Sequence, residues 1–128
     1  MPAAFDMPLL LLAGRLLLGG AFLVAGLRNL GNIPFLTGVI AGRGMPLPRA
    51  ALLAGIVMQT VAGALLIAGF WTDIALVGLV AFLFAATLLF HNFWDHQGID
   101  RVNRINGVIS NAALTGGIFI ILAAGSGG

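Results

Sequence analysis

The chain has 128 residues, of which 60% are hydrophobic and 8% are charged, and its formal net charge is +2. A soluble domain carries about 25% charged residues, because its surface must face water. The composition therefore excludes a soluble globular fold and predicts that lipid and other membrane helices surround most of the chain. The six basic residues are scattered arginines, which argues against nucleic acid as a partner. The absence of cysteine excludes disulfides, thiolate metal sites and iron–sulfur clusters.

Four apolar segments are long enough to cross a bilayer, since about 20 helical residues span a hydrocarbon core of roughly 30 Å. They cover about residues 8–30, 49–70, 72–91 and 103–124. The connector 31–48 is rich in glycine and proline and contains a short helix that begins near Pro34. One face of that helix comprises Phe35, Leu36, Val39 and Ile40. The sequence thus predicts a single all-α domain over residues 1–128, an integral membrane four-helix bundle with a short interfacial helix between helices 1 and 2.

The arginines predict how the bundle is oriented. Four spans place both termini on one side of the membrane and the first and third connections on the other. The arginines on the side of those connections are Arg28, Arg43, Arg49, Arg101 and Arg104. The terminal side has none outside a span, so the positive-inside rule predicts cytoplasmic connections and periplasmic termini. Aromatic residues at the ends of the third span, expected to act as interfacial anchors, are Trp71, Phe93 and Trp94.

Small residues at helical spacing predict where the spans contact one another, because they let backbones approach where lipid offers no hydrophobic contrast. In the first span this pattern selects Ala21 and Ala25, and in the second span it selects Gly55 and Gly63. In the last span it selects Gly107.

Arg15 lies roughly 10 Å into the first span at 1.5 Å per residue. An unpaired charge at that depth costs at least a few kcal/mol. Two interpretations stay open. Arg15 contacts an anion, a carboxylate or a headgroup in a cavity between helices, or its side chain extends to the interface and pairs with Asp6 or Asp73.

Other polar residues form a ladder through the remaining spans. They are Gln59, Thr87, His91, Asn111 and Thr115. Such a ladder is typical of a small ligand cavity, or of hydrogen bonds that only join helices, and both interpretations stay open. His91 is expected to cap the end of its helix rather than to bind a metal with Asp95 and His96. No carboxylate lies deep in a span, which argues against a proton or cation transporter.

Motifs in all four spans carry a family resemblance. The most specific is the run 86–94 (ATLLFHNFW), and the others are Arg15, Gly19, Phe22, Gly26 and Leu30, then Gln59, Gly63 and Thr72, and finally Asn111, Gly116 and Gly117. Taken in chain order, these motifs resemble those of the DoxX family of small four-helix bacterial membrane proteins, over about residues 10–122. Many members of that family have a glutamate where Gln59 stands and a lysine where Ser110 stands, so the bundle is uncharged at both points here. These departures favour a scaffold or a neutral ligand.

The resemblance implies a membrane subunit near redox chemistry in the bacterial cytoplasmic membrane, since some members are linked to quinone-reducing thiosulfate oxidation. The first hypothesis is an accessory subunit, not catalytic alone, of a larger respiratory, photosynthetic or oxidoreductase complex. It would pack through lipid-facing helices and hold a quinone or a lipid without covalent attachment. The alternative is a quinone-linked oxidoreductase subunit that takes part in the reaction, and a lesser alternative is a small transporter or a lipid-binding homo-oligomer.

Overall fold

The computed structural model describes residues 7–91, 94 and 96–125. In chain order they form α1 (Met7–Asn29), a 3₁₀ turn (Leu30–Asn32), α2 (Ile33–Gly42), α3 (Pro48–Ala68), α4 (Thr72–Phe90) and α5 (Gly98–Ala124). Four helical segments are long and apolar enough to cross a membrane, namely the α1–α2 segment, α3, α4 and α5. The described residues thus confirm the all-helical, four-span architecture, and α2 continues the first apolar segment after α1.

The boundary between α1 and α2 is a helix break at Asn32, where φ is −123° and ψ is 20°. Pro34 explains why a new helix begins here, because a proline lacks an amide hydrogen and fits only the first turn of a helix without loss of a hydrogen bond. The sequence marks this position correctly. After the break, α2 contacts α3 and α4.

α2 packs against the beginning of α3 and the end of α4. Ile40 forms a buried cluster with Leu52 and Ile56 of α3. The predicted apolar face is therefore right for Ile40, whereas Phe35 is 72% exposed and does not belong to the packed face. The contacts of α2 with α3 and α4, rather than its own apolar pattern, decide which of its sides is buried.

The most extensive helix contact joins α1 to α3 and depends on glycines. A Cβ atom at Gly19 would lie 2.7 Å from the carbonyl oxygen of Gly63, and a Cβ atom at Gly63 would lie 2.7 Å from that of Gly19. Gly63 thus lies in this contact. In α1 the face against α3 carries Gly19 and Gly26, whereas Ala21 is exposed and lines a cavity between α1 and α5, and Ala25 is half-buried.

The remaining predicted glycines face aromatic rings. Gly55 of α3 contacts the ring of Phe82, and Gly107 of α5 lies directly against the imidazole of His91. α5 is otherwise loosely packed, with Ile118 as the one buried residue in its described range. The main buried cluster of the bundle comprises Phe22, Ala62, Leu66, Ala75, Leu76, Leu79, Leu83 and Ile118.

Tight turns and polar ends set the other helix boundaries. Gly69, with a φ of 80°, ends α3, and its amide donates a hydrogen bond to the Leu65 carbonyl oxygen at 2.8 Å. α5 begins at Gly98, earlier than the predicted start near 103, because its first turns are polar and escape a search for apolar runs.

Trp71 and Trp94 are exposed beyond opposite ends of α4, where the sequence places interfacial anchors. The third predicted anchor, Phe93, lies outside the described residues.

Candidate functional site

A cavity of about 260 Å³ lies among α1, α2, α3 and α4, at the end of the bundle that carries the first connection. Its wall is mostly apolar, with contributions from Leu36, Ile40, Ile56 and Phe82. Three polar side chains also line it, namely Asn29, Gln59 and His91. An apolar wall with a few polar groups is the usual composition of a small-molecule site, and the volume lies near the lower end of the usual range, about 300–1,000 Å³.

Gln59 is the most buried polar group in this wall, with a side chain only 6% exposed. The Nδ2 atom of Asn29 donates a hydrogen bond to Oε1 of Gln59 at 3.2 Å. Within the described residues Gln59 has no further hydrogen-bond partner, so its Nε2 group remains an unused donor in the cavity wall. The fully buried side-chain atoms without a partner in the described residues are Oγ1 of Thr37 and Oγ1 of Thr60. Nε2 of Gln59 thus keeps contact with the cavity space, where an acceptor on a ligand can reach it.

Asn29 is the site residue that sequence reasoning missed. It ends α1, where a polar residue is ordinary at a membrane boundary. The signal that marks it is spacing, because Asn29 continues the face formed by Gly19, Phe22 and Gly26 at intervals of three and four residues. The glycines on that face bring α1 close to α3, and this approach places the Asn29 amide beside that of Gln59.

His91 stands immediately after α4, beyond the span that ends at Phe90. Its backbone N–H donates to the Thr87 carbonyl oxygen at 3.0 Å, and its ring packs on Gly107 while it lines the cavity. Burial, and then the charge of Arg104, lower the pKa of His91 below its ordinary value of 6.5. The imidazole is therefore neutral at pH 7 and offers one donor and one acceptor to an uncharged ligand.

Arg15 lies at the opposite end of the bundle and does not line the cavity. Its Nε atom donates to the carbonyl oxygen of Leu66 at 3.0 Å, in the last turn of α3. In the described part of the chain Arg15 thus contacts a backbone carbonyl, and Asp6 lies outside the described residues. The last carbonyls of a helix lack partners and carry partial negative charge, so a guanidinium stabilises them. This contact gives the cation a partner within the apolar bundle.

The end of α4 is capped in the same way. Arg43 donates from Nη2 to the Leu88 carbonyl oxygen at 3.3 Å and lies 5.9 Å from the centre of the Trp94 ring. Arg104 donates from Nη1 to the Phe90 carbonyl oxygen. The side chains of these two arginines thus bond to the last carbonyls of α4, where the sequence analysis expected the His91 side chain. His91 itself stands at the cap position of the helix as a neutral group.

The other polar residues form a separate cluster between α4 and α5. Asn111 donates from Nδ2 to the Thr87 hydroxyl oxygen at 2.8 Å, and Thr87 donates to the Leu83 carbonyl oxygen at 2.7 Å. Thr115 donates to the Asn111 carbonyl oxygen at 2.8 Å. The predicted ladder therefore divides into two parts. Gln59 and His91 line the cavity described above. Thr87, Asn111 and Thr115 bond to one another and to backbone, and they line a second cavity of about 430 Å³ between α4 and α5.

Comparison with known proteins places this geometry in a family. The family model described as DoxX matches residues 10–92, which is more than half of the chain. The inner membrane protein YphA of Escherichia coli (strain K12) is 27% identical over 122 residues, covering 94% of this chain and 86% of that protein. No solved structure matches the chain significantly.

Proposed function

This chain belongs to the DoxX family and is a multi-pass inner-membrane protein, and we propose that it is an accessory subunit that binds a quinone in the cavity beside Gln59. The observation that carries the proposal is the Gln59 amide, 6% exposed, in a mostly apolar wall, where its one hydrogen bond within the described residues comes from Asn29 and leaves Nε2 for a ligand. A quinone headgroup is uncharged, flat and apolar, and its carbonyl oxygens accept hydrogen bonds. It is also dissolved in the bilayer that surrounds the protein, so it reaches the cavity without crossing water.

Charge distribution supports a neutral ligand over an anionic one. Two arginines at this end of the bundle, Arg43 and Arg104, donate to carbonyls at the end of α4. His91 is neutral at pH 7 because its pKa is lowered. The described residues of the cavity wall therefore include no cation, and an anion there would lack the compensating charge that burial in an apolar site requires.

The accessory role follows from what the chain can contribute to electron transfer. It contains no cysteine for an iron–sulfur cluster, so we assign the electron carrier to a partner subunit. α5 offers a surface for such a partner, since Ile118 is its one buried residue in the described range. The family resemblance to proteins of quinone-linked redox systems agrees with this assignment.

Ligand recovery tests the quinone. The protein would be extracted in a mild detergent, washed free of loosely bound lipid, and its small molecules identified by mass spectrometry. We expect close to one quinone per chain, with loss of the quinone in Gln59→Leu. The matched control is Thr115→Val, which removes a hydroxyl from the α4–α5 side of the bundle and leaves the cavity unchanged. A wild-type protein that carries no quinone, and binds none when it is added, would refute the proposal.

Native electrophoresis of gently solubilised membranes tests the accessory role. We expect the chain to migrate with larger redox subunits, and migration as a small free protein would contradict this. If the isolated complex reduces quinone and Gln59→Leu abolishes that activity while the complex remains intact, the alternative of a subunit that takes part in the reaction gains support.

We further propose that the arginine-bearing connections face the cytoplasm and the termini face the periplasm. The absence of native cysteine makes single-cysteine labelling unambiguous. Leu47→Cys lies in the loop between α2 and α3, and Gly125→Cys lies after α5. A reagent that does not cross membranes should label Gly125→Cys in intact spheroplasts and label Leu47→Cys only after lysis. The reverse pattern would show the opposite orientation.

A further inference from the structure

We infer that the cavity beside Gln59 opens sideways to lipid between α3 and α4, at Ala85, and that the hydrocarbon tail of its ligand leaves through this opening. This rests on the proposed function and adds to it the route of entry and the form of the ligand. The exposure of the cavity wall marks the place. Among the described residues that line the cavity, Ala85 is the one exposed at the surface of the bundle.

The seam between α3 and α4 is filled at one level and open at the next. A Cβ atom at Gly55 would lie 3.5 Å from the Phe82 ring, so the ring fills the space that the glycine leaves. α3 and α4 run antiparallel through a short turn, so the next turn of the seam brings Ala51 of α3 level with Ala85 and Ala86 of α4. All three line the cavity. With short side chains on both helices and no ring between them, the seam stays open there.

The opening lies at the depth of the hydrocarbon core. Ala85 belongs to α4, which is long and apolar enough to span a membrane, and it stands roughly 8 Å before Phe90, the last residue of that helix. A charged or strongly polar solute would have to leave water and enter lipid to reach this point, which is costly. A lipid-soluble molecule reaches it by diffusion within the bilayer.

The size of the cavity decides which part of such a molecule enters. A cavity of about 150 Å³ is enough to bind benzene. The cavity beside Gln59, at about 260 Å³, therefore holds one substituted ring, and a long hydrocarbon tail has to remain outside. With the ring near Gln59, the tail passes between Ala51 and Ala85 into the lipid.

A bulky side chain at the opening tests this route. The probes are dimethoxy-methyl-benzoquinone without a tail and the same headgroup with a ten-carbon tail. Saturable binding is measured in lipid nanodiscs, after subtraction of the uptake by empty nanodiscs. We expect Ala85→Trp to weaken binding of the tailed quinone by about 10-fold, because the indole occupies the path of the tail. The tailless quinone needs the opening only in passing, so its affinity should change by less than about twofold.

The matched control is Ala81→Trp, one turn earlier on the same helix. Ala81 is exposed and does not line the cavity, so this variant should bind both quinones as the wild type does. Binding of the tailless quinone also shows that Ala85→Trp is folded, because that quinone requires an intact cavity.

Photocrosslinking of the wild-type protein gives a second measurement that needs no variant. The probe is the tailed quinone with a diazirine on the third carbon of its tail, and the adducts are located by mass spectrometry of peptides. We expect adducts within residues 51–55 or 85–89, which border the opening. Adducts outside these ranges, such as in the loop 43–47, would overturn the lateral opening.

The outcomes separate the opening from the quinone site on which it rests. If neither quinone binds the wild-type protein, the quinone site itself is wrong. If both bind and Ala85→Trp does not distinguish them, the lateral opening is wrong and the quinone site stands. If Ala85→Trp does not fold, the positions of the adducts decide.

Discussion

Two adjacent glycines in α1 make opposite predictions for the same substitution. A Cβ atom at Gly19 would lie 2.7 Å from the Gly63 carbonyl oxygen and 2.9 Å from Cβ of Leu66. The first atom is part of the α3 backbone and the second is bonded to it, so neither can move away unless α3 itself moves. A Cβ atom at Gly20 would meet nothing within 4 Å. Gly19→Ala should therefore force α1 and α3 apart, while Gly20→Ala fills open space.

The change in the free energy of unfolding for each variant is the sum of a packing cost and a gain in helix propensity. An atom forced into a packed contact costs about 1–3 kcal/mol, and separating two surfaces by 0.5–1 Å forfeits a quarter to a half of their dispersion attraction. Replacing glycine with alanine within a helix stabilises the helix by about 1 kcal/mol. We expect Gly19→Ala to lower the free energy of unfolding by about 2 kcal/mol and Gly20→Ala to raise it by about 0.5–1 kcal/mol.

Denaturant titration of the two variants in detergent micelles, followed by circular dichroism, measures this difference. Gly19→Ala should also weaken quinone binding, because the same contact aligns Asn29 with Gln59. A Gly19→Ala protein as stable as the wild type, or two variants of equal stability, would refute the packing argument. The order of the two variants matters more than either absolute value.

Three further predictions concern the end of α4 and its contact with α5. Because the folded-state pKa of His91 lies below 6.5, the unfolded chain binds more protons, so stability should fall as pH drops through 6.5 toward the folded value. His91→Gln should reduce that pH dependence in thermal unfolding. A double-mutant cycle of Asn111→Leu and Thr87→Val should give a coupling of about 0.6–1.7 kcal/mol, and additive effects would contradict the bond. Gly107→Ala should displace the His91 ring and weaken quinone binding, whereas Gly116→Ala, with nothing within 4 Å of its Cβ position, should not.

Local sequence was sufficient for the spans and for the break before α2. Hydropathy is a sum over neighbouring residues, and Pro34 acts through its own missing amide hydrogen, so both mark helices without knowledge of their partners. The same reasoning recognised Gln59 as a polar group within a span. It did not recognise Asn29, because an asparagine at the end of a helix is unremarkable until its partner is known.

The sequence by itself determined that this protein is a membrane protein with four spans and that it resembles the DoxX family. Composition and motif order are properties of the chain alone, so they need no knowledge of the fold. Only the tertiary structure decided that Arg15 caps α3, that Asn29 meets Gln59, and that Asn111 bonds to Thr87 away from the cavity. The physical reason is rotation and register. Each helix can turn about its own axis without changing its hydropathy, and contacts such as Gly19 with Gly63 select the one arrangement in which backbones meet.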